Sequence, residues 1–389
     1  MVKCLKGGRN PFCPEKTTYT EVPSVKKLFS LMLAVLCLLT AAIAAAEDVP
    51  AGENIRKVTI SCTGDALLGA SERVRRNGAG TYSYDTYIEK NGYAYPFAGL
   101  YDMFSKDDIT FVNLENVLAD DIKGGFSKSH LVFRGPADFA KILSAGSVEV
   151  VNLANNHTEN YGTEGMNKTV AALEAEGIGY SGTTFGLNAY YIHEVGDIKV
   201  GFVGLYPRYH KDKKHQTEAK ACFDACKEAG CQVIVASIHC GGEYQKKHAN
   251  MQDKYEKICK SWGANLVIGN HPHVPQGIHV ADGVTCLYSI GNFTFGGNTG
   301  VDEVLSVIQS YVAQFDLYFD GDTYLGHQLT IWPIHISGTV PENNYQPVLV
   351  SGTDAEKVMK LIQNDCGKLK LNPYVDGQGA VQDFVPWKK

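Results

Sequence analysis

Basic charge is what this sequence most lacks. Its 36 Lys and Arg stand against 42 Asp and Glu, a net −6. A nucleic-acid binder needs the opposite sign on at least one face, so the balance argues against nucleic acid, and no nucleic-acid partner is expected. Long apolar runs are as scarce, and only residues 28–46 are apolar enough to meet a membrane. There is no internal repeat and no low-complexity tract. With 44% hydrophobic and 20% charged residues, 40 Gly and 14 Pro, the composition also rules out coiled coil, collagen and disordered tail. The chain contains no G-x-x-x-x-G-K-S/T, no G-x-G-x-x-G after a strand, no H-E-x-x-H and no G-x-S-x-G. Nucleoside-triphosphatase, dinucleotide-oxidoreductase, zincin and serine-hydrolase readings therefore lack their defining residues. What is there is a globular chain of 389 residues, enough for one large or two modest domains at roughly 150 residues each.

The one apolar run has the layout of a secretion leader. Lys26-Lys27 precede the apolar residues 28–39, and Ala44-Ala45-Ala46 stand before Glu47-Asp48 as small residues for a signal peptidase. Residues 1–46 are expected to be a signal peptide or a signal anchor, and the protein is expected to be exported, to the extracellular face of the membrane or the cell envelope. Cys37 follows Leu36, which is too large for lipoprotein cleavage. Removing residues 1–46, with their six basic and two acidic side chains, takes the net charge from −6 to −10. Eight of the 11 Cys lie beyond the leader. An exported chain permits disulfides. Yet Cys62, Cys240 and Cys286 fall in apolar runs where Cys serves as a small hydrophobe, and Cys222, Cys226 and Cys231 lack the C-x-x-C spacing of a zinc knuckle. These eight read as mostly structural.

Residues 58–62, 109–114, 148–153, 233–238 and 266–268 are β-branched-rich runs of strand length. Helical patterns occupy 137–145, 165–176, 218–228 and 250–262, each stopped by a glycine: Gly146, Gly177, Gly230 and Gly263. A hairpin turns at Gly196-Asp197. After Gly283 the pattern is mainly β, over 285–290, 313–319 and 324–336, with a last helix near 355–364. Strands alternating with helices, then late antiparallel strands, predict a layered α/β domain.

The chemistry sits where the strands stop. The first runs into Gly64-Asp65, the second into Glu115, the third into Asn155-Asn156-His157, the fourth into His239 and Glu243, the fifth into His271 and His273. Ligands of open α/β sheets bind beyond the carboxyl ends of the strands, so these side chains are expected to converge on one crevice. Carboxylates, imidazoles and an amide oxygen, with no thiolate, suit a divalent metal of intermediate hardness such as Mn, Fe or Zn.

The series Gly64-Asp65, Asn113-Leu114-Glu115, Ala154-Asn155-Asn156-His157, His239-x-Gly241-x-Glu243-Tyr244, Gly269-Asn270-His271-Pro272-His273 and Ser289-Ile290-Gly291-Asn292-Phe293 resembles the CapA/PgsA family. This is the poly-γ-glutamate capsule-synthesis family, whose domain is similar to calcineurin-like metallophosphoesterases. The resemblance runs over residues 56–298 and leaves 299–389 as a mixed β/α extension expected to pack on the core. It implies a four-layer α/β/β/α sandwich, metallophosphoesterase-like, and two metals bridged by a carboxylate. On that plan Asp65 is the first-strand ligand and Glu115 the bridge. Asn156, His239 and His271 complete one metal, and His273 joins Asp65 and Glu115 on the other. His157 matches the non-ligating histidine that protonates the leaving oxygen. The resemblance further implies hydrolysis of an ester or related bond in poly-γ-glutamate or envelope-polymer metabolism. The substrate would be an anionic polymer or a phosphoester, and a membrane polymer-synthase complex a partner. The alternative is a non-catalytic subunit that keeps the metal cleft to bind such a polymer or synthase.

Two positions depart from the pattern. The superfamily usually places a ligating His two residues after the first Asp, and here that residue is Leu67. One tight metal site is therefore expected, and a second only at high metal concentration. An Asp commonly stands three residues after the His of Asn-Asn-His; here it is Asn160, which can orient His157 but supplies no charge. Asn155 reads as a substrate contact or a support behind the ligands. Glu243 reads as a support for a ligand imidazole or a salt-bridged loop residue, Arg134 as an anion clamp or a surface ion pair, and Asn292 as a site contact or a turn amide. Tyr82, Tyr84, Tyr87, Tyr93 and Tyr95 either wall the crevice or pack internally.

Overall fold

A computed structural model describes residues 48–72, 74, 83–125, 131–184, 187–208, 213–301 and 306–388. The leader expected over 1–46, with Cys37, and Tyr82 lie outside them. In chain order the principal elements are β1 (Ile55–Leu67), α1 (Tyr84–Asn91), β2 (Ile109–Leu114), α2 (Ala140–Ala145), β3 (Val150–Asn152), α3 (Gly162–Ala175), β4 (Gly179–Thr184), β5 (Leu187–Val195), β6 (Ile198–Leu205), α4 (Lys213–Glu228), β7 (Val233–His239), α5 (Asn250–Trp262), β8 (Leu266–Asn270), β9 (Ile278–Ala281), β10 (Val284–Leu287), β11 (Asn292–Phe295), β12 (Gln309–Asp320), β13 (Thr323–His335) and α6 (Gly352–Gln363). No helix of the described residues is long and apolar enough to cross a membrane.

The strands form one continuous ribbon in the order β9-β10-β8-β7-β6-β5-β4-β3-β2-β1-β12-β13, with β11 parallel beside β1. In one half β1, β2 and β3 run parallel, and β12 and β13 extend it antiparallel through β1. In the other half β6, β7 and β8 run parallel. β4 belongs to both, pairing with β3 over 179–181 and with β5 over 182–184.

Period-two patterning decides how the halves stack. Ile109 and Phe111 face one way, Val112 and Leu114 the other; Val233 and Val235 oppose Ile234, Ala236 and Ile238 in the same manner. The first members of each set meet between the two halves, where the Phe111 and Phe202 rings stack 5.2 Å apart. The outward members of the first half are covered by Leu143 of α2 and Leu173 of α3. Those of the second half are covered by Phe223 and Cys226 of α4 and Tyr255 and Cys259 of α5. The result is the four-layer α/β/β/α sandwich. Each fully buried aliphatic or aromatic side chain in it contributes roughly 1.5–3 kcal/mol.

Two sequence expectations are revised, and one left open is decided. The first strand runs on past residue 62 to Leu67, because β2 and β11 pair with its far end across a shifted register. The third is shorter than 148–153, since only residues 150–152 pair. Tyr84 and Tyr87 pack edge-on against the Tyr345 ring, and Tyr87 stacks on Tyr95, so this aromatic stretch serves the core. All eight described cysteines are free thiols, and all except Cys231 are buried.

Candidate metal centre

Because β1, β2 and β3 are parallel, their carboxyl ends lie along one edge of their half, and those of β6, β7 and β8 lie along one edge of the other. The convergence begins at the irregular stretch of β1 between Cys62 and Asp65, a bulge of the kind that re-aims a side chain beside a site. Gly64 makes it possible: a Cβ there would overlap the Gly291 carbonyl, which accepts from the Asp65 N–H at 2.9 Å. Gly64→Ala is expected to force β1 and the Gly291-Asn292 turn apart. Stability should fall by about 3 kcal/mol, at the upper end for overpacking, with a lower denaturation midpoint and weakened metal binding; an unchanged midpoint would refute the close approach.

Asp65 is fully buried and both of its oxygens are engaged. Oδ1 accepts from Asn113 Nδ2 at 2.7 Å, and Oδ2 accepts from the His271 N–H at 3.1 Å and lies 3.2 Å from His273 Nδ1. Asn113 also lies 3.3 Å from His239 Nδ1 and accepts from Asn152 Nδ2 at 2.7 Å, so one amide aligns two ligand candidates. Sequence reasoning gave Asn113 no role. The available signal was its spacing, two residues before Glu115 on a strand and therefore on the same face.

Three sets of donors gather with all their ligand atoms within 4.8 Å of one another: Glu115, His239 and His271; Asp65, Glu115 and His273; and Glu243, His271 and His273. Asn156 Oδ1 lies 2.7 Å from His239 Nε2, on the edge of the first set. Glu115 is common to the first two sets, and it is buried with neither carboxylate oxygen hydrogen-bonded; His271 Nδ1 is likewise buried without a partner. A buried carboxylate left in that state is costly, and a cation between these donors removes the penalty. The donors suit a divalent ion.

The backbone is held to that end. His271 and His273 both have left-handed φ, 100° and 59°, a conformation that stores roughly 1–3 kcal/mol of strain per residue. Asn292 Oδ1 accepts from His273 Nδ1 at 2.8 Å and orients that ring. Asn155 lies behind the cluster: its Nδ2 donates to the Leu114 carbonyl at 2.8 Å, and its Oδ1 accepts from the His157 and Thr158 N–H groups. Arg134 is not brought to the cluster. Its Nη1 donates to the Ala119 carbonyl, and its Nε lies 3.5 Å from Glu72. Leu67 is fully buried against Phe133 and Phe295.

His157 stands beside the donors, its Nε2 3.9 Å from Glu115 Oε1. Asn160 Oδ1 accepts the Phe133 N–H at 2.8 Å and lies 2.9 Å from His157 Nδ1. The backbone donor identifies that atom as the oxygen, so His157 carries its proton on Nδ1, and Nε2, facing Glu115, is the atom that titrates. A cleft of about 350 Å³ opens from Asn156, His239 and His271 towards Tyr206, Arg208, Glu243 and Met251; sequence reasoning picked out neither Tyr206 nor Arg208.

Burial pushes His239 down to about 4 and His271 to about 3, so both rings are neutral donors at pH 7. Burial and the neighbouring Asp65 charge raise the Glu115 carboxyl, whereas Asp65, despite its burial, is held low by His273 and His239. Burial opposes a charge on His273, but Glu115, Asp65 and Asn292 together raise it to about 10. Without metal, Glu115 and His273 therefore hold protons near neutrality that an ion must displace. Affinity is expected to strengthen as pH rises, by roughly tenfold per unit for each proton expelled, and to be lost as pH falls. Calorimetry in two buffers of different ionisation enthalpy should count that release; binding independent of pH from 6 to 8 would overturn the assignment.

Residues 59–297 match the family model described as bacterial capsule synthesis protein PGA_cap. The chain is 22% identical over 333 residues to the capsule biosynthesis protein CapA of Bacillus anthracis, covering 80% of this chain and 74% of that protein. It is 24% identical over 252 residues to the PGA biosynthesis protein CapA of Bacillus subtilis strain 168, covering 61% of this chain and 63% of that protein. Among solved structures it is similar to the calcineurin-like phosphoesterase YfkN from Bacillus subtilis, at 17% identity and a TM-score of 0.40, over 79% of this chain and 97% of that one.

Proposed function

Because this chain belongs to the PGA_cap family of bacterial capsule synthesis proteins, we propose that it is an exported, metal-dependent hydrolase of phosphoesterase type acting in poly-γ-glutamate or cell-envelope polymer metabolism. The observation that carries this reading is Glu115, buried with neither oxygen hydrogen-bonded at the corner shared by two donor sets. Glu115, Asn156, His239 and His271 would hold one ion, Mn, Fe or Zn, tightly; Asp65, Glu115 and His273 would hold a second more weakly. Ions bound there would supply Lewis acidity towards a phosphoryl or carbonyl oxygen and acidify water. Asn113 and Asn292 keep the donors in register, and the strained His271-Pro272-His273 segment sets both rings before any ion arrives. His157, not itself a donor, would deliver a proton from Nε2 to the leaving oxygen. The substrate would be an anionic polymer or a phosphoester.

A second reading has its own observation. Leu67 fills its position with apolar packing, and Asn160 gives His157 no charge, as suits a subunit that keeps the cleft only to bind an anionic polymer or a membrane polymer synthase. A panel of phosphomonoester, phosphodiester and γ-glutamyl substrates, run with metal-loaded and chelated protein, separates the two. Metal-dependent turnover on any of them supports the hydrolase, and none across the panel favours the binding subunit.

A further inference from the structure

A second ion would have three donors, Asp65, Glu115 and His273, and Leu67 cannot supply a fourth. We propose that Glu243 does, as a direct metal ligand reaching in from the loop after β7. This rests on the metal-centre reading above and assigns one more donor to it.

The loop is built for that reach. Gly241-Gly242 leave β7 immediately after Cys240, whose N–H donates to the Asn270 carbonyl at 3.1 Å. Tyr244, directly after Glu243, has a left-handed φ of 61°, and its N–H donates to the Pro272 carbonyl at 2.8 Å. Pro272 lies between the two histidines, so the bond ties the peptide beside Glu243 to the segment that carries His271 and His273. The Tyr244 ring adds a contact 5.9 Å from the His273 ring. Held at both ends, the Glu243 carboxylate comes within 4.8 Å of ligand atoms on His271 and His273.

The alternatives for Glu243 find less support. Among the described residues no lysine or arginine pairs with it, and no hydrogen bond joins its carboxylate to a ligand imidazole. It remains exposed to the cleft, close enough for its charge to act on Glu115, His239 and His271. As a third carboxylate beside Asp65 and Glu115, it would bring three negative charges to balance the four of two divalent ions.

Manganese titration of the full chain tests this, with stoichiometry and affinity read by calorimetry and the ion pair by its exchange-coupled electron paramagnetic resonance signal. Wild type is expected to take up two ions, the second more weakly. Glu243→Gln, an exposed and nearly isosteric change, should keep the tight ion and lose the coupled signal. Its second-site affinity should fall by more than the roughly 10–100-fold that loss of an outer hydrogen bond brings. A variant that keeps both ions, a variant that loses both equally, or a wild type that stops at one ion overturns the assignment of Glu243 and leaves the tight site standing. A wild type that takes up no manganese instead refutes the metal centre itself.

Discussion

The His271→Ala protein is expected to purify free of metal and without turnover on any substrate that the wild type cleaves. His271 belongs to two of the three donor sets, and its Nδ1 is buried with no other partner. Removing the ring leaves Glu115 buried beside one imidazole fewer. Its backbone N–H still donates to Asp65, so the loop has reason to keep its place, and the defect should be one of binding rather than folding. Thermal melts give an independent reading. A ligand at 100 times its Kd stabilises the folded state by about 2.7 kcal/mol. The wild type should therefore melt higher as manganese fills the tight site, while the variant should melt at one temperature over the same concentrations. A variant that retains metal at wild-type level would remove His271 from the ligand set.

His157→Ala is expected to do the reverse, keeping its metal while losing roughly 10²–10⁴-fold in turnover, the usual worth of general acid–base help. The loss should shrink for an activated nitrophenyl ester, whose leaving group needs no proton. The pH profile should show the same role. Burial lowers the His157 imidazole, and Glu115 and Asn160 only partly offset this, so its protonated fraction falls as pH rises. Metal affinity changes in the opposite sense, because Glu115 and His273 must give up protons. A bell-shaped profile follows for wild type, and in His157→Ala the alkaline limb should flatten. A His157→Ala protein as active as wild type on an unactivated ester would mean that the histidine does not donate the proton. If polymer synthesis in cells then still failed in His271→Ala alone, the binding-subunit reading would replace the hydrolase.

Much of the site was legible because its signals are local. A β-branched run of three to six residues leading into Asp, Glu, Asn-His or His-x-His states both the element and the donor it delivers. Residues 109–114 and 250–262 are strand and helix as read. Boundaries that depend on a partner were not legible. β1 extends to Leu67 only because β2 and β11 lie beside it, and β3 ends early because pairing stops at Asn152.

The sequence by itself determined the donor types, their places after the strands and the alternation that makes four layers, since each is a property of a few consecutive residues. Tertiary structure alone decided who meets whom. Arg134, which the sequence could cast as an anion clamp, is engaged by Glu72 and Ala119. Asn113, given no role, aligns Asp65 and His239. Glu243, read as a support or a loop ion, lies with His271 and His273. These outcomes follow from a ribbon that passes through β4 from one sheet to the other and brings the ends of β1–β3 against those of β7 and β8. Contacts across that gap join residues far apart in the chain, as Asn156 with His239, 83 positions apart, and Asp65 with His271, 206 apart, and no local pattern encodes their distances.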